Sequence, residues 1–489
     1  MLTTDPREWV PIVLRLTWRT PPGVLLAIAA FVIANEGWLA SPLDLSRPAE
    51  VTLGIVAIAA ILWITEAVPL FVTSLVVLAL ELAWLAPTLD TQSALFLNAF
   101  FSDVTLLFLG GFVLSAGLER SGLDRRLARA ILDRAGTAPT RVLLATMVTT
   151  ALLSMWMSNT AACALMLGIA ATMLRDVPSD DGFRKAVLLG IAFSANLGGI
   201  ATPIGSPPNA ILLRYLQASG VAPSFGEWML LALPLLVVLL GLLLVLLSHR
   251  FPTNLESVSL GETTVPAFGR AQLLVVVVLA LTIGGWLFGE QLSLTTGTVA
   301  LLPVVIFFAT GLLRTEELRA LPWDVLLLIG GGLALGAAID QSGLATTLTA
   351  RIPVEGFSPI QVIALAAILA MVLSVFMSNT ATANLIAPML LGLAGVDLAT
   401  LLIVAAFACS LGMPLPVSTP PNAMAFGFSH GPTGKGSLVA RDMIVPGTLI
   451  GVLGLAVLLT VATLWFPVIL GAPDAPAQVA PTNDATSPE

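Results

Sequence analysis

The sequence predicts an all-α polytopic membrane protein, with about eleven transmembrane helices and two re-entrant helical hairpins arranged as inverted repeats. Three observations carry this expectation: the density of apolar residues, the one-sided placement of basic residues, and a set of polar motifs that occurs twice in the same order.

Of the 489 residues, 57% are apolar and 10% charged, and the mean hydropathy is +0.98. A water-soluble packing cannot hide so much apolar surface. Apolar runs of about 17 to 25 residues, the length that crosses roughly 30 Å of hydrocarbon as a helix, recur along the chain. They are continuous and rich in Leu, Ala and Val, whereas a transmembrane β-barrel would alternate in short segments. Spanning helices are expected near 23–41, 51–67, 69–87, 104–119, 183–218, 228–248, 271–288, 295–313, 323–340, 398–428 and 442–466. Two further apolar stretches, 140–175 and 359–395, are interrupted midway by a polar cluster. Each is expected to be a hairpin that enters and leaves on one side. The stretch from Pro22 reads as a retained first helix rather than a signal peptide. Cys163 and Cys409 lie inside apolar runs and read as inert buried thiols.

Net charge is −8, but in a membrane protein the placement of charge matters more than its sum. With the N-terminus cytoplasmic and both hairpins re-entrant, the 21 basic residues fall on the inner side except for Arg47, Arg214 and Arg351. Counting either hairpin as a full crossing inverts everything after it and degrades this asymmetry. The C-terminus then lies outside, with a disordered Pro/Ala-rich tail over 471–489. The Arg-rich stretch 120–134 reads as a cytoplasmic amphipathic helix on the membrane surface. His249 and His430 read as solvated helix ends, and Glu36, Glu66, Glu81 and Asp103 as interfacial acids. The glycines Gly330, Gly331, Gly332 and Gly336 lie within a spanning helix and read as close helix packing rather than a nucleotide loop.

The internal repeat decides the architecture. Leu106 to Gly111, continuing to Ser121-Gly122-Leu123, matches Leu327 to Gly332, continuing to Ser342-Gly343-Leu344, at an offset of 221. Met157-Ser158-Asn159-Thr160-Ala161 matches Met377-Ser378-Asn379-Thr380-Ala381 at an offset of 220. Pro207-Pro208-Asn209-Ala210 matches Pro420-Pro421-Asn422-Ala423 at an offset of 213. On the topology above the first hairpin opens from inside and the second from outside. The repeats are therefore inverted, the arrangement that lets pseudosymmetry exchange inward-facing and outward-facing states.

A backbone turn at membrane depth is tolerated only where protein or a polar cavity satisfies its N–H and C=O groups. Ser158 or Asn159 can cap the returning half-helix, and for one copy capping alone would explain the motif. Two copies, each followed by a Pro- and Gly-broken segment ending in Pro-Pro-Asn, point to a site. Gly198, Gly199, Pro203, Gly205, Pro207 and Pro208 cannot share one regular helix, nor can Gly412, Pro414, Pro416, Pro420 and Pro421, because Pro removes donors and clashes with the preceding turn. The unwound carbonyls suit a hard monovalent cation such as Na⁺, and the half-helix N-termini suit an anion. Neither constellation contains a charged residue. An anion held there needs helix dipoles and co-bound cations, whereas a proton relay would show intramembrane acids or histidines. Walker, metalloprotease and nucleophile-elbow motifs are absent from the sequence, so an enzyme is not expected, nor an organic cofactor or a nucleic-acid partner.

At these residues the chain resembles the divalent anion:Na⁺ symporter family, carriers of succinate-like dicarboxylates, citrate and sulfate, over roughly 20–470. The resemblance implies a homodimer of eleven-helix protomers working as an elevator-type transporter in the lipid bilayer, here a bacterial inner membrane. It divides the chain into a cytoplasmic segment (1–20), scaffold parts (21–123 and 251–344) and transport parts (124–250 and 345–470). It also implies that Asn159, Thr160, Asn379 and Thr380 hydrogen-bond the substrate carboxylates, with Ser206 and Pro420 nearby. One Na⁺ site would use Ser154, Ser158, Asn159 and backbone at Gly205; the other Ser374, Asn379 and backbone at Met377 and Ser418. The second loop reads Pro-Val-Ser-Thr-Pro where the first reads Thr-Pro-Ile-Gly-Ser-Pro, so its glycine is missing. The expected function is Na⁺-coupled symport of a C4-type dicarboxylate dianion, with dicarboxylate exchange, sulfate or citrate carriage, and a membrane-embedded enzyme as alternatives.

Overall fold

A computed structural model describes residues 20–35, 45–260, 267–289, 291–349, 356–391, 393, 395–431 and 437–471. The expectations for residues 1–19, Glu36, Arg351, Lys435 and the tail from 472 fall outside these. All regular structure among the described residues is helical, and nine helices are long and apolar enough to cross a bilayer.

The first repeat runs through α1 (Thr20–Asn35), α2 (Arg47–Thr65) and α3 (Leu70–Leu80, continued to Thr88 through a π-turn at Glu81–Leu85). It continues with α4 (Asp103–Ser121) and the amphipathic α5 (Leu123–Ala135). The first hairpin is α6 (Pro139–Ser154) and α7 (Asn159–Met173), and the broken helix is α8 (Gly182–Gly198) and α9 (Pro207–Ala218), followed by α10 (Phe225–Arg250). The second repeat runs α11 (Arg270–Leu287), α12 (Thr296–Ala309) and α13 (Trp323–Gln341). Its hairpin is α14 (Pro359–Phe376) and α15 (Asn379–Leu390), its broken helix α16 (Leu398–Leu411) and α17 (Pro420–His430), and its last long helix α18 (Ala440–Leu464). Short helices at Ala94–Phe100 and Thr315–Arg319 were not visible in the hydropathy. Expected spans 183–218 and 398–428 each resolve into two half-helices, as the prolines require. In the second hairpin α14, at 18 residues, is long enough by itself to span, whereas α15 has 12.

The repeat extends well beyond the motifs. Gly122 and Gly343 both end their helices at positive φ, +69° and +71°. Ser121 and Ser342 each donate back to the carbonyl three residues earlier, at 3.1 and 3.2 Å. The repeated Ser-Gly-Leu is thus a helix stop. Trp63 donates its indole N–H to the carbonyl of Leu70, the first residue of α3, and Trp286 does the same to Thr296, the first of α12 (3.2 and 3.0 Å). Gly110 lets α4 press onto the backbone of Ala300 in α12, and Gly331 lets α13 press onto Ser74 in α3. The glycine-rich helix is therefore a packing seam, as expected: Gly332 faces Asn384 and Gly336 faces the Tyr215 ring.

The broken helices occupy the centre. The Gly182–Ala201 stretch is 94% buried within the protein, against 28% for Arg270–Leu287. This position permits the unwinding, because irregular backbone at membrane depth survives only where protein surrounds it. The halves interleave: α7 and α8 of the first repeat pack on α17 of the second, while α9 packs on α15 and α16. Cys163 of α7 lies 3.6 Å from the Pro421 carbonyl across this seam; both cysteines are free and buried.

One acid departs from expectation. Glu81 is fully buried in the protein, because it continues the inward face of α3 that carries Thr73 and Val77. Asp103, half-buried, reaches across to the N-terminus of α12, accepting from the Thr296 hydroxyl at 3.0 Å and the Gly297 N–H at 3.1 Å. His249 and His430 are exposed and bond carbonyls one turn back, consistent with helix ends.

Candidate transport site

Each hairpin turns over a serine cap. Ser158 and Ser378 hold extended backbone and accept from the N–H of Ala161 and Ala381 at 3.2 and 3.1 Å, which starts α7 and α15. Other first-turn N–H groups have no acceptor within the helix and remain directed outward. Thr160 (exposed) and Thr380 (half-buried) lie in these first turns.

Behind the first turn, Ser154 donates to the Ala195 carbonyl of α8 at 2.7 Å. The Asn159 carboxamide places one polar atom 2.7 Å from Ser154 Oγ, 3.2 Å from the Ala195 carbonyl and 3.1 Å from the Gly205 carbonyl. With its oxygen inward, four oxygens face one another around a single hydroxyl proton already committed to Ala195. In that orientation the set carries more acceptors than donors. With its nitrogen inward, the amide closes the group on itself. The two orientations differ by a half-turn of one side chain, the first leaving acceptors facing one another and the second pairing them. A Cβ on Gly205 would stand 2.6 Å from the Gly199 carbonyl, so only glycine brings this loop to Asn159.

The second repeat reproduces the arrangement. Ser374 Oγ lies 2.6 Å from Asn379 Oδ1 and 2.7 Å from the Cys409 carbonyl of α16. One hydroxyl proton cannot serve both, so acceptors are again in excess. The missing glycine has a structural counterpart. In the first loop Thr202 donates to the hairpin carbonyl of Met155 at 2.6 Å; in the second, Ser418, in the register of Gly205, donates to Val375 at 3.0 Å. Met377 closes α14 through its N–H to Leu373, and its side chain is buried.

The structure therefore brings together Ser154, Asn159 and Gly205 in one group, and Ser374 and Asn379 in the other. Ser158 and Ser378 act as caps. Ser206 and Thr419 stand at the N-termini of α9 and α17, with Pro420 exposed beside them. Sequence reasoning missed the carbonyls of Ala195 and Cys409, since a backbone ligand leaves no trace in residue type. It also gave no role to the asparagines of Pro-Pro-Asn. Asn209 Nδ2 donates to the Gly199 and Thr202 carbonyls at 2.8 Å each, and Asn422 Nδ2 to those of Met413 and Leu415 at 2.9 and 3.0 Å. Each clamps the unwound carbonyls of its own loop.

The profile of the family described as citrate transporter matches residues 60–400. A protein of Staphylococcus saprophyticus named sodium-dependent dicarboxylate transporter SdcS is 32% identical over 92% of both chains. A protein of the same name from Staphylococcus aureus (strain USA300) is 32% identical over 88% of both. The chain belongs to the divalent anion:Na⁺ symporter family. Among solved structures, this family member shares its fold with the YdaH transporter of Alcanivorax borkumensis (TM-score 0.56, 15% identity, 77% of this chain and 88% of that one). MtrF of Neisseria gonorrhoeae is similar at TM-score 0.53 and 12% identity, over 76% and 82% of the two chains. The symporter-family chain is thus a multi-pass helical membrane transporter.

Proposed function

We propose that this protein is a Na⁺-coupled symporter of a C4-type dicarboxylate, resident in a bacterial inner membrane with its N-terminus inside and C-terminus outside. The names of the relatives support it. The observation that carries it for this chain is the Asn159 carboxamide lodged against the oxygens of Ser154, Ala195 and Gly205. Its pseudosymmetric copy at Ser374, Asn379 and Cys409 gives a second such group. Na⁺ would be held by Ser154, Asn159 and the Ala195 and Gly205 carbonyls, and by Ser374, Asn379 and the Cys409 carbonyl. The dianion would lie over the first turns of α7 and α15, where Asn159, Thr160, Asn379 and Thr380 and the free N–H groups offer donors without a fixed cationic side chain. Coupling follows from charge: without a cation in each oxygen group, nothing beside the helix dipoles offsets the two carboxylates.

The scaffold is assigned to 21–123 and 251–344, the transport part to 124–250 and 345–470, and the protein to a homodimer working by an elevator motion. The hairpin tips support such a motion, being equivalent in sequence but not in surroundings. Trp156, at the first tip, stacks on Phe225 (6.3 Å between centroids), which stacks on Trp286 (4.8 Å). Phe376, its counterpart at the second tip, is 74% exposed. Exchange of these surroundings between repeats is what alternating access by inverted repeats requires.

The family description favours a second reading, carriage of a tricarboxylate such as citrate. Uptake of labelled succinate, citrate and sulfate into proteoliposomes separates them. Succinate accumulation driven by an inward Na⁺ gradient is expected, with sulfate and citrate well below it. Succinate movement indifferent to Na⁺, or citrate preferred over succinate, would overturn the assignment.

A further inference from the structure

Asn196 follows Ala195, the α8 residue whose carbonyl belongs to the first oxygen group. It is 1% exposed, and its side chain points across the repeat seam. Its Nδ2 donates to Thr419 Oγ1 at 3.1 Å and to Asn422 Oδ1 at 3.2 Å. Both acceptors stand at the start of α17, where the second loop ends. Thr419 caps α17 through the Asn422 N–H, and Asn422 Nδ2 clamps the carbonyls of Met413 and Leu415. One side chain of the first repeat thus ties the α8 backbone that serves Ser154 to the clamp that shapes the second unwound loop.

The mate of this bridge is missing. Ala195 and Cys409 are equivalent acceptors of Ser154 and Ser374, so the residue in register with Asn196 is Ser410. Its hydroxyl is too short to span the seam. Ser410 Oγ, Ser206 Oγ and Asn209 Oδ1, the atoms corresponding to Asn196, Thr419 and Asn422, are all buried without a hydrogen-bond partner. The second loop is therefore braced from the opposite repeat and the first is not.

The geometry points to Asn196 as a positioning residue that couples the two cation groups, so that ordering of α8 around the first Na⁺ sets the carbonyl loop beside the second. This rests on the Na⁺-symport reading above. Asn196 touches neither oxygen group with its own side chain; it acts through Thr419 and Asn422. The effect expected of a coupling residue is a change in cooperativity more than in substrate affinity.

The test copies the second repeat into the first. Asn196→Ser is expected to lower the Hill coefficient for Na⁺ in proteoliposome uptake from above one towards one and to raise half-saturating Na⁺ roughly fivefold or more. The KM for succinate at saturating Na⁺ should change less than twofold. A merely structural role would lower the yield of active protein and leave the Hill coefficient unchanged. Ser410→Asn, which offers Ser206 and Asn209 the missing partner, is expected to lower half-saturating Na⁺. Should Asn196→Ser fold poorly, Ser410→Asn alone decides, through the Na⁺-induced rise in melting temperature of the purified protein without substrate. An unchanged Hill coefficient in Asn196→Ser, or no gain from Ser410→Asn, overturns the inference while wild-type uptake remains cooperative in Na⁺. Wild-type uptake indifferent to Na⁺ overturns the symport reading and this inference with it.

Discussion

Asn159→Ala is expected to abolish Na⁺-driven succinate uptake, and Asn379→Ala to do the same, with each purified variant still folded and monodisperse. In the first group the substitution removes the amide that meets Ser154 Oγ and the carbonyls of Ala195 and Gly205. The Gly205 carbonyl then loses its side-chain partner, at about 1–3 kcal/mol, while the Ala195 carbonyl keeps the Ser154 hydroxyl. The loss lands on the cation-bound state, because no other side chain completes the oxygen set. Roughly 3 kcal/mol corresponds to more than a hundredfold in Na⁺ affinity. In the second group the Ser374 hydroxyl keeps the Cys409 carbonyl, but the group loses the Asn379 carboxamide oxygen that would hold the cation. Uptake and half-saturating Na⁺, measured beside a melting curve, separate this from general unfolding. A fully active single variant would remove that asparagine from the site.

Asn422→Leu should cost more than Asn209→Leu, although the two asparagines hold the same place in their repeats. Leucine is close to asparagine in shape, so the comparison isolates the hydrogen bonds. Both substitutions release two loop carbonyls. Asn422→Leu also takes from the Asn196 amide one of its two acceptors, Asn422 Oδ1, leaving it Thr419 Oγ1, whereas Asn209 Oδ1 has no partner to lose. One additional buried hydrogen bond lost is about 0.5–1.5 kcal/mol. Both variants are expected to lose uptake, with the melting temperature of Asn422→Leu several degrees below that of Asn209→Leu. Equal melting temperatures would show that the bridge across the seam contributes nothing to the fold.

Much of this architecture was legible in the sequence because it is written in residues with strong backbone consequences. Pro207, Pro208, Pro420 and Pro421 dictate where the second half-helices start, Gly122 and Gly343 where long helices stop, and Ser158 and Ser378 where hairpins turn. The repeat was visible because those constraints occur twice. What stayed hidden lay in backbone or in three dimensions. Ala195 and Cys409 contribute carbonyls, which any residue could supply. The role of Ser418 in place of glycine could not be read from spacing, since in the first loop the same tether comes from Thr202, at a different position. Glu81 sits at the end of an apolar run, and which face of α3 turns inward, the one carrying Thr73, Val77 and Glu81, is set by tertiary packing that a uniformly apolar helix does not reveal. Asn196 lies in an ordinary helical stretch, and its partners are more than 220 residues away in sequence.

The inverted repeats place two oxygen groups, one behind each hairpin turn, and a pair of helix first turns that can face a dianion between bound cations. The direct test is an electron-microscopy map of the purified protein in Na⁺ and succinate, compared with one in choline and no substrate. The account predicts ion density enclosed by Ser154, Asn159 and the Ala195 and Gly205 carbonyls, matching density at Ser374, Asn379 and the Cys409 carbonyl, and succinate against Thr160 and Thr380. Succinate bound away from both hairpin turns, or oxygen groups identical in the two maps with the Asn159 amide closed on itself, would contradict it.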